Sequence, residues 1–234
     1  MLTRAILVAI CGFLFGAAVT PPQPAATGAV KVYKGQPLEH IIRGFSYFVR
    51  TVLLSAFLTY AATIITASDY PSYGHLLPYL CPPGSAAAAP LVAPASARFI
   101  VGTILVVFGA TLRLWSFRVL GPLFTFEVVI TQDHHIVKAG PYAYVRHPAY
   151  TGMIVLTVGV HLMQFGTHGY VTVCDLAHSP VAVLVYMWWV GSVFVIVSVF
   201  RRCAPEDKQL ERHFGETWCQ YRDEVPYRLV PLVY

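Results

Sequence analysis

The sequence is poor in charge. Of its 234 residues only 12% are Asp, Glu, Lys or Arg, about half the share of an average soluble domain. Hydrophobic residues make up 56% and the mean hydropathy is +0.61. So small a polar complement cannot cover a water-facing surface of this size, which excludes a soluble globular protein. Intrinsic disorder is excluded as well, because 14% aromatic residues supply more apolar surface than a solvated chain tolerates. Cysteines are few: Cys11, Cys81, Cys174, Cys203 and Cys219 are odd in number and widely scattered. They form no CxxC pair and no His-interleaved spacing, so neither a disulfide framework nor a metal site such as zinc is indicated. A net charge of +5 would raise nucleic-acid binding in a soluble protein. Here Lys and Arg lie mostly between apolar blocks and follow membrane topology, so nucleic acid is set aside as a partner.

What the chain has in abundance is long apolar runs. Five approach or exceed the roughly 20 helical residues that cross a hydrocarbon layer: Ala5–Thr20, Ile41–Ala67, Phe99–Phe117, Tyr150–Phe165 and Val181–Phe200. Helices are the open-chain way to satisfy backbone groups in lipid. The expected fold is therefore all-α, a polytopic membrane helix bundle of about five transmembrane helices with a carboxyl-terminal amphipathic helix. The first run also reads as a cleaved signal peptide, since Arg4 precedes it and the small residues Ala17 and Ala18 near its end precede polar Thr20 and a Pro-rich segment. Cleavage would leave Lys31 and Lys34 outside against the charge bias, so a retained span fits better. Loops 68–97 and 167–180 contain no Lys or Arg, whereas Lys31, Lys34 and Arg43, then Arg118, Lys138 and Arg146, then six basic residues from Arg201 to Arg228 mark the other side. That side is expected to be cytosolic, with the amino terminus outside and the carboxyl terminus inside.

Chemistry is expected where the basic side has more rings and polar groups than a connector needs. One such segment runs from Phe124 to Gly152 and the other from Arg201 to Tyr234. In the first, Tyr142, Tyr144 and Tyr150 surround Arg146-His147-Pro148, and Pro148 suits the first turn of a helix. Without further context these rings also read as an interfacial belt. In the second, a helix is expected to start at Pro205 and stop at Pro226, with Leu210, Phe214, Trp218, Tyr221 and Val225 on one face. Arg202 and Glu206, four residues apart, share a face if helix continues through Pro205. Arg113 and His161 fall in mid-span, where interhelical contacts explain them better than a translocation path.

The spacing from His134 through Gly140, Tyr142, Arg146-His147-Pro148 and Tyr150 to Gly152, followed about 50 residues on by Arg202-x-x-x-Glu206-Asp207 and Phe214-Gly215, resembles the isoprenylcysteine carboxyl methyltransferase family. The resemblance covers residues 124–228. The apolar runs put three spans in residues 1–120, and the resemblance implies a methyltransferase core in 121–234, made of a cofactor loop, a helical hairpin at 150–200 and a cytosolic helix. It implies S-adenosyl-L-methionine as cofactor, bound by His134, His135, Ile136, Val137, Tyr142, His147, Pro148, Ala149, Tyr150 and Glu206. Arg202 would face the acceptor and, with Glu206, carry catalysis. The implied partners are prenylated CAAX-type protein carboxyl termini and membrane lipid, and the implied location is the endoplasmic reticulum membrane. Asp207 stands where the family has a second glutamate, and Glu127 falls near a family cofactor contact only by a loose alignment. A phospholipid or other lipid-amine methyltransferase and a non-catalytic scaffold or transporter are the alternatives.

Overall fold

The computed structural model describes residues 1–23, 30–31, 38–68, 70–82, 88, 91, 95–126, 129–130 and 135–234. Glu127 and His134 fall outside them. The described residues form a bundle of long helices: α1 (Leu2–Val19), α2 (Leu38–Ser68), α3 (Ala97–Leu120), α4 (Pro148–Gln164), α5 (Ala182–Phe214) and the short α6 (Glu216–Glu224). Four of these, α1, α2, α3 and α5, are long and apolar enough to cross a membrane. At 17 residues, about 25 Å by the helical rise, α4 is the short one. It nonetheless runs between the same two ends of the bundle as α3, and α1 packs against both α2 and α3.

Helices α3 and α4 are held by glycines rather than by large side chains. A Cβ on Gly109 would lie 2.6 Å from Leu156 N and 2.7 Å from Gly152 O; one on Gly159 would lie 2.7 Å from Val106 N. Backbone meets backbone, the close approach that small residues allow where lipid supplies no hydrophobic drive for association. Helix α1 is integral to the core, with Val8, Cys11 and Phe15 buried.

The two ends of the bundle differ in chemistry. At one end, which we call the basic face, β1 (Val30–Lys31) pairs antiparallel with β2 (Val129–Ile130), so these two strands, one after α1 and one after α3, lie side by side. At the other end Arg4 donates to Leu91 O (2.7 Å) and Tyr60 Oη (3.0 Å), and Tyr170 Oη donates to Leu80 O (2.6 Å).

Cys81 and Cys174 form a disulfide there, which corrects the expectation that no disulfide was indicated. The pair is 93 residues apart in sequence, so no local spacing announces it. Its cysteines are brought together because α2 and α4 both end at that face. Among the described residues no cluster of metal-ligating side chains occurs.

A second correction concerns the carboxyl-terminal helix. Pro205 does not begin it: α5 runs unbroken from Ala182 to Phe214 with Pro205 inside. The break comes at Gly215, whose φ of +54° ends α5 and turns the chain into α6. A left-handed residue at that position favours glycine. The apolar face survives the turn, since Trp218, Tyr221 and Val225 of α6 and its exit pack with Leu210 and Phe214 of α5 and with Ile136.

Candidate functional site

The continuity of α5 through Pro205 decides the geometry of the site. Arg202 and Glu206 sit one turn apart on its inner face, with Arg202 Nε 3.8 Å from Glu206 Oε2. The Arg202 side chain is only 4% exposed, and its Nη2 donates to Phe126 O at 2.6 Å. Glu206 accepts from Tyr150 Oη at 2.6 Å, and the Arg202 guanidinium lies 5.8 Å from the Tyr150 ring centre. A residue on α5 and one on the first turn of α4 are thus joined by a short charge-assisted bond.

One residue further along α5, Asp207 ties the segments together. Its Oδ2 accepts from Arg146 Nη2 (3.1 Å) and Arg228 Nε (3.0 Å), and its Oδ1 meets His147 Nε2 at 2.9 Å. Burial pushes the Asp207 carboxyl up, but the hydrogen bond and charge of His147 and the Arg146 guanidinium outweigh it and hold the group at about 2. Arg146 also donates to the carbonyls of Val225 (2.7 Å) and Pro226 (2.8 Å). The amides of Arg146 and His147 donate to Tyr227 O and Arg228 O, and Thr151 Oγ1 donates to Leu229 O at 2.6 Å. Residues 142–151 and 225–229 are therefore laced side by side. Tyr221 Oη adds a bond to Tyr142 O at 2.8 Å.

These segments enclose a cavity of about 190 Å³. Of the residues singled out from sequence, the structure brings Arg202 and Glu206 to its wall, together with His147, Ala149 and Tyr150 from the entry to α4. His135, Ile136 and Val137 line it from the preceding loop, and Tyr142 from the turn between. Pro148 does not line it; it is buried as the first residue of α4. His134 lies outside the described residues. The His147 and Tyr150 rings stack at 5.3 Å and 6°. Burial, reinforced by Glu206, pushes the Tyr142 hydroxyl well above its ordinary value, so it stays a neutral phenol at physiological pH.

Other lining residues were not marked as site residues in the sequence. Arg113 of α3 donates from Nε to Ala18 O (2.7 Å) and from Nη1 to Ala149 O (2.9 Å), the interhelical contact expected of it, while also facing the cavity. It staples the exit of α1 to the entry of α4. The signal was there, a lone arginine inside an apolar run, but its partners are carbonyls that no sequence pattern reveals. Asp207 and Arg228 were likewise legible as charges and not as partners. Farther from the basic face the lining turns apolar, with Phe45 and Val49 of α2 facing Trp188, Val195 and Val199 of α5.

Residues 102–212, just under half of the chain, match the model of the Isoprenylcysteine carboxyl methyltransferase (ICMT) family. The match covers most of α3, the loop before α4, α4 itself and nearly all of α5. No curated protein matches the chain.

Proposed function

We propose that this membrane core, matched by a methyltransferase family, transfers a methyl group from S-adenosyl-L-methionine to the α-carboxylate of a carboxyl-terminal S-prenylcysteine. The observation that carries the reading is the single cavity that has Arg202, Glu206 and Tyr150 at its basic end and an apolar wall farther in. It suits two reactants from different media, one water-soluble and charged, the other lipidic.

The residues present fit the cofactor. Bound there, it would supply an electrophilic methyl on a sulfonium. A carboxylate and ring faces favour such a cation, and Glu206, Tyr150, Tyr142 and Trp218 all line the cavity. Residues His135, Ile136, Val137, His147 and Ala149 would complete the cradle. Glu206 is held by Tyr150, so it is oriented before any ligand arrives.

The acceptor carboxylate is ionised at neutral pH and needs no general base. Its difficulty is hydration. Arg202, buried and fixed by the Phe126 carbonyl, would offer the anion paired donors in a site with little water. The prenyl chain, favouring an apolar site by about 0.8 kcal/mol per buried CH₂, would lie against Phe45, Val49, Val195 and Val199. A lipid amine would gain nothing from Arg202, which weighs against that alternative.

Orientation belongs to the same proposal. The basic face would be cytosolic by its Lys and Arg content, in the endoplasmic reticulum membrane, with prenylated CAAX-type proteins as partners. The disulfide at the opposite face agrees with an oxidising compartment there.

Purified protein given radiolabelled S-adenosylmethionine is expected to label an S-farnesylcysteine analogue as a base-labile methyl ester. Label appearing only in phosphatidylethanolamine would sink the reading in favour of the lipid-amine alternative. Arg202→Ala and Glu206→Ala are each expected to lower kcat/KM by about 100-fold or more, while membrane insertion is kept. Normal turnover in either would remove that residue's assigned role.

A further inference from the structure

Three cations on the outer face of α5 take no part in the site. Helix α5 has 33 residues, about 50 Å at the helical rise, so it outruns a hydrocarbon layer of roughly 30 Å by several turns. Val183, Val190 and Val197 recur at seven-residue intervals on its exposed face. Arg201, Lys208 and Arg212 continue that stripe and are exposed themselves. At 3.6 residues per turn all six fall within an arc of about 60°. The lipid-facing stripe of α5 thus turns from apolar to basic where the helix leaves the hydrocarbon.

The acids of the same segment are engaged elsewhere. Glu206 accepts from Tyr150, Asp207 from Arg146 and Arg228, and Glu211 from Arg222. Among the described residues Arg201, Lys208 and Arg212 have no carboxylate partner. Topology explains why many Lys and Arg lie at this end, but not their alignment on one outward stripe cleared of acids. Helical side chains lean toward the amino end, which on α5 is the membrane, so these cations reach back toward the bilayer surface.

A second feature meets the stripe at the same level. The amides of Leu229 and Val230 both donate to Tyr234 O (2.8 and 3.0 Å), closing a turn whose tip, Leu232 and Val233, is 84% and 79% exposed. Leu232 has a φ of +66°, a left-handed conformation that leucine rarely adopts and that marks a constrained segment. The Tyr234 ring lies 6.2 Å from that of Phe200, the residue before Arg201, which sets the turn at the membrane boundary. Arg228 pins it there, donating from Nη1 to Tyr234 Oη (3.1 Å) and from Nε to Asp207.

We propose that the Arg201–Lys208–Arg212 stripe and the 230–233 turn form a docking surface for anionic phospholipid headgroups in the leaflet at the basic face, with Leu232 and Val233 set among the acyl chains. The headgroups supply the anions that the stripe lacks, each cation near the surface adding to the attraction. The apolar tip adds burial that charge alone does not provide.

The test uses the purified full chain in lipid nanodiscs, with Leu232→Cys carrying a bimane label in a Cys219→Ser background. Phosphatidylserine and phosphatidylcholine with brominated acyl chains are compared as quenchers at equal mole fraction. Both are expected to quench, phosphatidylserine at least about twofold more strongly. The Arg201→Gln, Lys208→Gln, Arg212→Gln triple variant should abolish that difference. So should about 1 M salt, which shortens the screening length to about 3 Å. If Leu232→Cys does not fold, Val233→Cys is judged by the same criteria.

A label that neither lipid quenches overturns the insertion of the turn and the docking surface with it. Equal quenching by the two lipids, or a preference that the triple variant keeps, overturns the role of the stripe. The readout needs no turnover, so a protein that failed to methylate any carboxylate would lose the function proposed above and keep this surface.

Discussion

Asp207 is the residue on which the two site-forming segments converge. It is buried at 7% exposure and contacts two guanidiniums and one imidazole at once. Removing one member of such a buried set leaves the others uncompensated, at a cost of about 3–5 kcal/mol. Asp207→Asn is therefore expected to lower the thermal midpoint in detergent by several degrees and to weaken S-adenosylmethionine binding, because His147 and Arg146 lose their common anchor. The acid limb carries its own signature. A carboxyl held at about 2 in the fold and near 3.9 when unfolded contributes stability that is fully present above about pH 4. That contribution is lost as pH falls toward 2. A pH series of thermal midpoints should show this loss in the wild-type protein and a flatter limb in Asp207→Asn; matching limbs would deny the carboxylate this role.

At the scale of elements, the glycine contact between α3 and α4 sets where Arg113 can reach Ala149 O. Gly109→Leu would drive a branched side chain into Leu156 N and Gly152 O and force the helices apart. Overpacking typically costs about 1–3 kcal/mol, and here the clash is with backbone that cannot repack. The expected result is a lower thermal midpoint and lower cofactor affinity, read by melting and by calorimetry; a variant with both at wild-type values would mean that the close approach is unimportant.

The helices themselves were legible in the sequence, since apolar runs in lipid leave the backbone one solution. Their ends were less so. Proline suits first turns, so the sequence places a helix start at Pro205. Yet α5 carries Arg202 and Glu206 on one face across it, and the contacts of these residues and of Asp207 outweigh one missing amide bond. Gly215, the true end, stands inside a motif and carries no stop signal of its own in the sequence. Of the site, the residues that line the cavity were legible through their spacing. The carbonyl partners of Arg113, Arg146 and Arg202 were not, because every residue has a carbonyl and only the fold says which one is near.

At the scale of the whole molecule, the Cys81–Cys174 disulfide joins the loop after α2 to the loop after α4. Closing a loop of 93 residues falls in the range where a bridge contributes about 2–4 kcal/mol. Cys81→Ser is expected to lower the thermal midpoint while leaving methyl transfer detectable, since the bridge lies at the end of the bundle away from Arg202 and Glu206. A thiol-reactive, membrane-impermeant reagent applied to sealed microsomes should also fail to label Cys81 and Cys174 until the sample is reduced and permeabilised. Labelling from the cytosolic side without permeabilisation would invert the proposed orientation. This pair was hidden at the level of sequence because five scattered cysteines admit many pairings, and only the shared destination of α2 and α4 selects one.

The brevity of α4 has a consequence for where the protein can work. A segment of 17 residues spans about 25 Å, less than the roughly 30 Å of an average hydrocarbon layer. Val158 faces outward from it, so the lipid beside that flank must thin to meet it. Hydrophobic mismatch of this sign favours thinner bilayers. Reconstitution in a series of phosphatidylcholines of increasing acyl length should find the proposed activity falling once the acyl chains outgrow α4, a means by which membrane thickness alone would select where the protein works.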